Sequence, residues 1–384
     1  MYQILTLNKI SKTGLAHFDP QKFTCADNIE NPDAIVVRSA SLHETALPEN
    51  LLAVARAGTG VNNIPIDKCT ENGVCVFNTP GANANAVKEL VICALFLASR
   101  KIMDGAKWCD GLKGEGAEVS KKVEKGKSAF AGPEIMGKTL GVIGLGAIGV
   151  LVANAAKALG MRVIGFDPFL SPAAKEALDP SVTVTDLDTV FSESDYITLH
   201  APLTDSTRGV VCAANLAKAK YGVRVLNFSR AELADEADII NALETGKCAA
   251  YATDFPTDAE LGVPGVIAIP HLGASTPEAE ENCAVMAVEQ LADYLLNGNV
   301  KNSVNLPALS LSGKAKARIT AITKDDRAAS LNDVLTQTGI PIVQSASAVK
   351  KGVGYCVFDT DAEITDEIIE QLKNAEGVIA IRII

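Results

Sequence analysis

Of the four histidines in this 384-residue chain, His271 has the setting of a proton-transfer group. It follows the apolar run VIAIP, just past the carboxyl end of a predicted strand, and imidazole is the side chain most often used as general acid or base near neutral pH. In open α/β sheets, ligands bind outside those strand ends. The same rule singles out Arg230, directly after VLNFS, whose guanidinium can grip a carboxylate through two parallel N–H groups, and Asp254, which closes CAAYATD. His17 and His43 lack such a setting and read as structural. A different chemistry belongs to Gly144-Leu145-Gly146-Ala147-Ile148-Gly149, which follows the run TLGVI and opens a helical pattern. A tight turn at the first glycine, close backbone approach at the second and helix–strand packing at the third make an anion site at a helix N-terminus. Asp167 closes the next run, RVIGF, where an acid can accept hydrogen bonds from ribose hydroxyls and repel a 2′-phosphate. The pair of signals points to a dinucleotide, with NAD favoured over NADP.

These residues need a scaffold that brings strand ends together, and the chain reads as one. QILTL, AIVVRS, LLAVARAG and VCVFN are short apolar runs between polar stretches, as buried parallel strands are. A helical pattern spans Ala84 to Arg100, and a polar, Lys- and Gly-rich stretch from Lys101 to Gly137 reads as a surface excursion. TLGVIG, RVIGFD, YITLH, VRVLNFS, CAAYATD and VIAIPH then alternate with helical patterns, notably Ala147–Leu159 and Asp235–Thr245, which predicts a second doubly wound parallel sheet. A long helix is expected over Thr276–Leu296. The last segment reads β-α-β-β-α-β, with a Lys350-Lys351-Gly352 turn in the middle, the order of a ferredoxin-like split βαβ. The expected division is 1–98 with 281–304, 99–280, a linker at 305–314, and 315–384.

Composition sets limits on partners. Lys+Arg 35 against Asp+Glu 46 gives a net charge of −11, which argues against binding to nucleic acid or to an anionic membrane and requires any anionic ligand to be held locally. Nine cysteines show no C-x-x-C pair and no His at zinc-ligand spacing, so no metal site is expected and the thiols read as reduced. With no leader-like or membrane-spanning run, the expected location is the cytoplasm.

Asn227-Phe228-Ser229-Arg230, Thr253-Asp254-Phe255 and Pro270-His271-Leu272-Gly273-Ala274-Ser275-Thr276, taken with the glycine motif, resemble the D-2-hydroxyacid dehydrogenase family. The likeness extends to Val37-Arg38-Ser39, Arg56 through Asn63, and Asn78-Thr79-Pro80, and the last segment resembles the ACT regulatory domain. The resemblance implies a flavodoxin-like substrate domain, a Rossmann NAD domain and a ferredoxin-like ACT domain, assembled as a homodimer or homotetramer. It implies NAD-dependent oxidation of a phosphorylated 2-hydroxy acid, D-3-phosphoglycerate, with His271 taking the C2 hydroxyl proton and Arg230 holding the carboxylate. The implied cofactor contacts are the Gly144–Gly149 loop, Asp167, His200-Ala201-Pro202, Thr207, Asn227-Phe228-Ser229, Asp254 at the carboxamide, His271, and Gly273-Ala274.

Arg38, Ser39, Arg56, Thr59 and Gly60 are the implied substrate contacts, the two arginines toward the distal phosphate; the other reading of these arginines is surface or salt-bridged cations. The family pairs its catalytic His with an acid, usually Glu. Here the stretch is Phe255-Pro256-Thr257-Asp258-Ala259-Glu260, so Asp258 takes the role, with Glu260 the alternative. Serine-binding ACT domains use His and Asn, whereas the matching Thr323–Arg327 stretch has no His, so serine feedback is not expected. Two rivals stay open: the same chemistry on glyoxylate, hydroxypyruvate, D-lactate or 2-hydroxyglutarate, and a nucleotide-sensing, corepressor-like binding protein.

Overall fold

Runs of Val, Ile and Ala too apolar to have a solvent face become the strands of two parallel sheets, as strands covered on both sides must. The computed structural model describes residues 1–313 and 315–384. It divides into two units, Met1–Asn83 with Pro277–Ile384, and Ala84–Thr276.

In the first unit, β1 (Tyr2–Leu7), β2 (Phe23–Ala26), β3 (Ala34–Val37), β4 (Ala53–Arg56) and β5 (Cys75–Phe77) form a parallel sheet in the order β2-β1-β3-β4-β5, the flavodoxin-like order. The helix Pro277–Asn297 returns to this sheet and buries Cys283, Ala287, Val288, Leu291 and Leu295 against Ile4, Val36, Ala55 and Phe77.

The second unit carries β6 (Thr139–Ile143), β7 (Arg162–Phe166), β8 (Thr183–Val184), β9 (Tyr196–Leu199), β10 (Val223–Asn227), β11 (Cys248–Thr253) and β12 (Val266–Ala268), all parallel, in the order β12-β11-β10-β9-β6-β7-β8. The chain runs outward from β6 to β8 and then restarts on the other side at β9. That reversal, between β6 and β9, is where a doubly wound sheet opens a crevice at its carboxyl edge. The helix Ala84–Ser99 places Val87, Val91, Ala94 and Leu95 among Leu140, Val142, Leu226 and Ala252, and Ser99 shares a 2.6 Å hydrogen bond with the Tyr196 hydroxyl. This helix therefore belongs wholly to the second unit, and the boundaries fall after residues 83 and 276 rather than after 98 and 280. The polar excursion folds into short helices, Ile102–Asp110 and Val119–Gly126, that bury no residue and carry a Trp108–Phe130 ring contact at 5.4 Å.

The C-terminal strands β13 (Ala317–Lys324), β14 (Gln344–Lys350), β15 (Val353–Thr360) and β16 (Val378–Ile383) make an antiparallel sheet ordered β14-β15-β13-β16, the ferredoxin-like arrangement expected. The helices Ala328–Gln337 and Asp366–Lys373 supply Leu331, Leu335 and Leu372 to a core with Ile319, Ala321, Cys356 and Phe358. The opposite face contributes Ile322, Tyr355 and Val357 to the core around Phe77 and Tyr294, so this sheet is part of the first unit. The last residue of the expected linker, Lys314, lies outside the described residues.

Arg318 and Asp359 face each other across β13 and β15 and pair through two bonds, Nε to Oδ1 at 2.6 Å and Nη2 to Oδ2 at 2.8 Å. Burial pushes the Asp359 pKa up, but the bonds from Arg318 and Gln344 outweigh it and hold the carboxyl below its ordinary value. Arg318 also donates to the Asn297 carbonyl at 2.7 Å, and the Tyr355 hydroxyl to the Gly298 carbonyl at 2.7 Å. Gly298 has φ +70°, and a Cβ there would lie 2.7 Å from Thr320, so the turn after the long helix can touch β13 only without a side chain.

Candidate functional site

In the second unit, the turn after β6 is built by glycines with different duties. Gly144 has φ +93°, and a Cβ on it would lie 2.6 Å from the His200 carbonyl carbon. A Cβ on Gly149 would collide with the Gly144 carbonyl oxygen. The fold itself therefore demands the first and third glycines. Gly146 meets nothing within 4 Å, which leaves open space for another molecule to approach the backbone there. The helix Ala147–Ala158 begins there with no side-chain cap, so its first N–H groups have no capping side chain as partner. Asp167 receives the Leu145 N–H on one oxygen and the Phe169 N–H on the other, both at 2.8 Å. Asp167 thus sits directly on the glycine turn, and the set fits a dinucleotide's pyrophosphate and ribose.

His200 is tied to β6 by its N–H to the Ile143 carbonyl at 2.7 Å, and its Nε2 meets the Thr198 hydroxyl at 2.9 Å. Burial pushes its pKa down to about 3, so the ring stays neutral and cannot serve as a proton carrier near pH 7. Its Nδ1 is buried without a partner among the described residues. Thr207 donates to the Pro202 carbonyl at 2.6 Å and accepts the Thr204 N–H at 2.8 Å, which closes the loop that follows Ala201.

The ends of β10, β11 and β12 bring the sequence-predicted chemistry together. Asn227, fully buried, donates to the Arg230 carbonyl at 2.8 Å and accepts from the Ser229 N–H, while the Ser229 hydroxyl reaches the Leu199 carbonyl at 2.7 Å. These bonds fix the loop that presents Arg230, whose own side chain is anchored to the Ser229 carbonyl at 2.6 Å. The guanidinium lies 5.6 Å from the Phe255 ring centre, and that ring lies 4.4 Å from the His271 ring at 47°. Phe255 thus packs beside both, a role the sequence did not assign; its signal was its position next to Asp254 at the end of β11.

Asp254 is only 2% exposed, and its Oδ1 has no partner among the described residues. Burial pushes its pKa up to about 6, against the pull of the Gly273 N–H and the Arg230 charge. An acceptor in this state is suited to a ligand's amide N–H. The two acids weighed as partners of His271 have different settings. Asp258 is exposed on a turn, whereas Glu260 is 3% exposed because the turn folds it back onto the Thr257 N–H at 3.0 Å. Burial, with help from Glu236, raises the Glu260 pKa.

In the first unit, Val37 and Arg56 are register partners on β3 and β4, so Arg38 and Arg56 emerge side by side. Arg56 Nε donates to the Arg38 carbonyl at 3.0 Å, and Gly58 carries no side chain where the Arg56 guanidinium passes. Thr79 N–H and Asn78 Nδ2 bind the carbonyls of Gly58 and Thr59, holding the turn that contains Gly60. Asn8 accepts the Ser39 and Ala40 N–H groups at 2.8 and 2.7 Å, and Ser39 itself is exposed. The sequence missed Glu280, whose Oε1 is 2.7 Å from Arg38 Nη1. Only its place in the first turn of a long helix could have drawn notice. Among the described residues no cluster of His, Cys, Asp and Glu suits a metal, and no helix is long and apolar enough to cross a membrane.

Residues 94–273 match the family described as "D-isomer specific 2-hydroxyacid dehydrogenase, NAD binding domain". The chain is 36% identical over 316 residues to a D-3-phosphoglycerate dehydrogenase of Synechocystis sp., covering 80% of this chain and 54% of that one. It is 35% identical over 337 residues to the Bacillus subtilis D-3-phosphoglycerate dehydrogenase, covering 83% and 62%. It thus spans little more than half the length of these relatives. A hydroxypyruvate reductase of Thermotoga maritima is 40% identical over 276 residues, covering 68% of this chain and 85% of that one. Among solved structures, the NAD+-bound 3-phosphoglycerate dehydrogenase of Entamoeba histolytica is similar at TM-score 0.59 and 26% identity, covering 80% of this chain and 99% of that one.

Proposed function

The chain belongs to the D-isomer-specific 2-hydroxyacid dehydrogenase family, and from that membership we propose that it oxidises D-3-phosphoglycerate to 3-phosphohydroxypyruvate with NAD, the entry to serine synthesis. The observation that carries the proposal is the convergence of Arg230, Phe255, His271 and the half-satisfied Asp254 at adjacent strand ends beside a glycine turn whose middle residue has open space above it.

Arg230 binds the substrate carboxylate and draws electron density from the C2 oxygen. His271 takes the C2 hydroxyl proton as the C2 hydrogen departs with its electron pair; in the reverse direction it returns that proton to the ketone oxygen. NAD supplies the hydride acceptor. Asp254 receives the carboxamide N–H, Asp167 the ribose hydroxyls, and the Gly144–Gly149 backbone the pyrophosphate. His200 stays neutral as a wall of the pocket. For the acid that orients His271, Glu260 is the better candidate of the two weighed, because a buried carboxylate with a raised pKa responds to a neighbouring imidazolium more strongly than an exposed one.

Arg38 and Arg56 supply the cations that a phosphate requires in a chain of net charge −11. The C-terminal sheet is read as an ACT-like regulatory module, the assembly as a homodimer or homotetramer and the location as the cytoplasm. One rival has specific support: the well-covered Thermotoga relative is named for an unphosphorylated acid, and Glu280 offsets the charge of Arg38. NADH oxidation with 3-phosphohydroxypyruvate, compared with hydroxypyruvate, pyruvate and 2-oxoglutarate and repeated with NADPH, tests the proposal. A strong preference for the phosphorylated acid with NADH is expected; an equal or better rate on hydroxypyruvate overturns the substrate.

A further inference from the structure

We propose that Glu280 is an internal competitor for the anion site at Arg38 and thereby sets how strongly the protein holds phosphorylated acids. The inference rests on the substrate reading above.

Arg38 and Arg56 leave adjacent strands at their carboxyl ends, with the Arg56 Nε already committed to the Arg38 carbonyl. The Arg38 guanidinium is engaged by Glu280, Nη1 to Oε1 at 2.7 Å, so a carboxylate oxygen occupies the position that a phosphate oxygen would take. Glu280 lies in the first turn of the helix Pro277–Asn297, where the helix dipole adds to the attraction for negative charge. Both side chains remain partly solvated, 33% and 40% exposed, so the pair is a weak one that an incoming ligand can exchange. A phosphate dianion carries twice the charge and three acceptor oxygens, and so it displaces Glu280 where a neutral hydroxyl cannot. The same carboxylate then stands close to the bound phosphate and repels it. Cys283, one turn further along the helix, lies in the field of Arg56, Arg38 and Glu280, which marks the three charges as one electrostatic group.

The test is Glu280→Gln, which keeps the size and hydrogen-bonding capacity and removes the charge, measured beside Arg38→Gln and wild type. Readouts are KM and kcat for 3-phosphohydroxypyruvate and hydroxypyruvate with NADH, and competitive inhibition by inorganic phosphate. Removing one charge a few ångströms from a dianion at a solvated site predicts a KM for 3-phosphohydroxypyruvate and a phosphate inhibition constant that both fall about five- to tenfold. The kcat and the KM for hydroxypyruvate should stay within about twofold. Glu280→Ala repeats the measurement if the Gln variant is poorly folded. If Arg38→Gln weakens phosphate while neither Glu280 variant tightens it, the competitor role is overturned and the substrate reading stands. If wild type shows no preference for the phosphorylated acid and Arg38→Gln changes nothing, the substrate reading fails and this inference falls with it.

Discussion

Asp254→Asn should flatten the pH dependence of stability in a calculable way. In the native protein the pKa of this carboxyl is raised from the ordinary 3.8 to about 6, chiefly by burial. The folded state therefore binds the proton more tightly than the unfolded chain. Its contribution is complete below the unfolded pKa and is lost as pH rises through the folded one. With those two values, the term contributes about 1.4 kcal/mol at about pH 5 and almost nothing at about pH 7.5. Wild type should thus lose about 1.4 kcal/mol over that span relative to the Asn variant. For a unit of this size that is a difference of ~3–6 °C in melting temperature, with the variant gaining on wild type as pH rises. Scanning calorimetry of both proteins at matched ionic strength across the range measures it directly. The same variant should bind NADH at least tenfold more weakly, since Asn can place an N–H where the unpartnered Oδ1 now stands. A constant difference between variant and wild type from about pH 5 to pH 7.5 would refute the burial argument, whatever happened to cofactor binding.

Other perturbations separate the remaining roles. His271→Asn should lower kcat by about 10²–10⁴-fold while NADH binding, followed by fluorescence, changes little. In the oxidation of the hydroxy acid, where His271 must start unprotonated, Glu260→Gln should shift the acid limb of the kcat/KM profile and Asp258→Asn should leave it in place; the opposite pattern would assign the positioning role to Asp258. Asp167→Ala should narrow the preference for NADH over NADPH by removing the acid that repels a 2′-phosphate, read from paired kcat/KM values. Arg318→Ala leaves the fully buried Asp359 uncompensated and should cost about 3–5 kcal/mol in urea titrations, whereas Arg318→Met with Asp359→Leu should recover most of it.

Much of this architecture was legible because strand and turn signals are local. The runs TLGVI and VIAIP are dominated by apolar residues; the first is a fully buried strand directly before the glycine turn, and the second holds the partly buried strand Val266–Ala268 shortly before His271. The position of helix Ala84–Ser99 was not legible, since an apolar stripe at helical spacing says that a face is covered and not which sheet covers it. That Glu260 is buried and Asp258 exposed follows from a tight turn in which the Thr257 N–H binds the Glu260 carboxylate, a geometry that depends on the turn and leaves no mark in spacing. Glu280 was missed because Arg38, which meets it, is some 240 positions away in the chain; the salt-bridged reading of Arg38 had no partner to name.

The last turn of the helix Pro277–Asn297 bears on how such chains can be assembled from parts. Its carbonyls at Tyr294, Asn297 and Gly298 are taken by side chains of the C-terminal sheet, Arg382, Arg318 and Tyr355, at 2.5–2.7 Å, and Arg382 also stacks over the Tyr294 ring. A module joined only by its linker could be deleted or traded for another by a single recombination event. Here removal would take the side-chain donor from each of the three carbonyls, leaving Tyr294 only the Gly298 N–H, and uncover Phe77 and Tyr294 in the neighbouring core. A different tail joined to this first sheet would have to bring donors to the same three carbonyls and an apolar face to the same core.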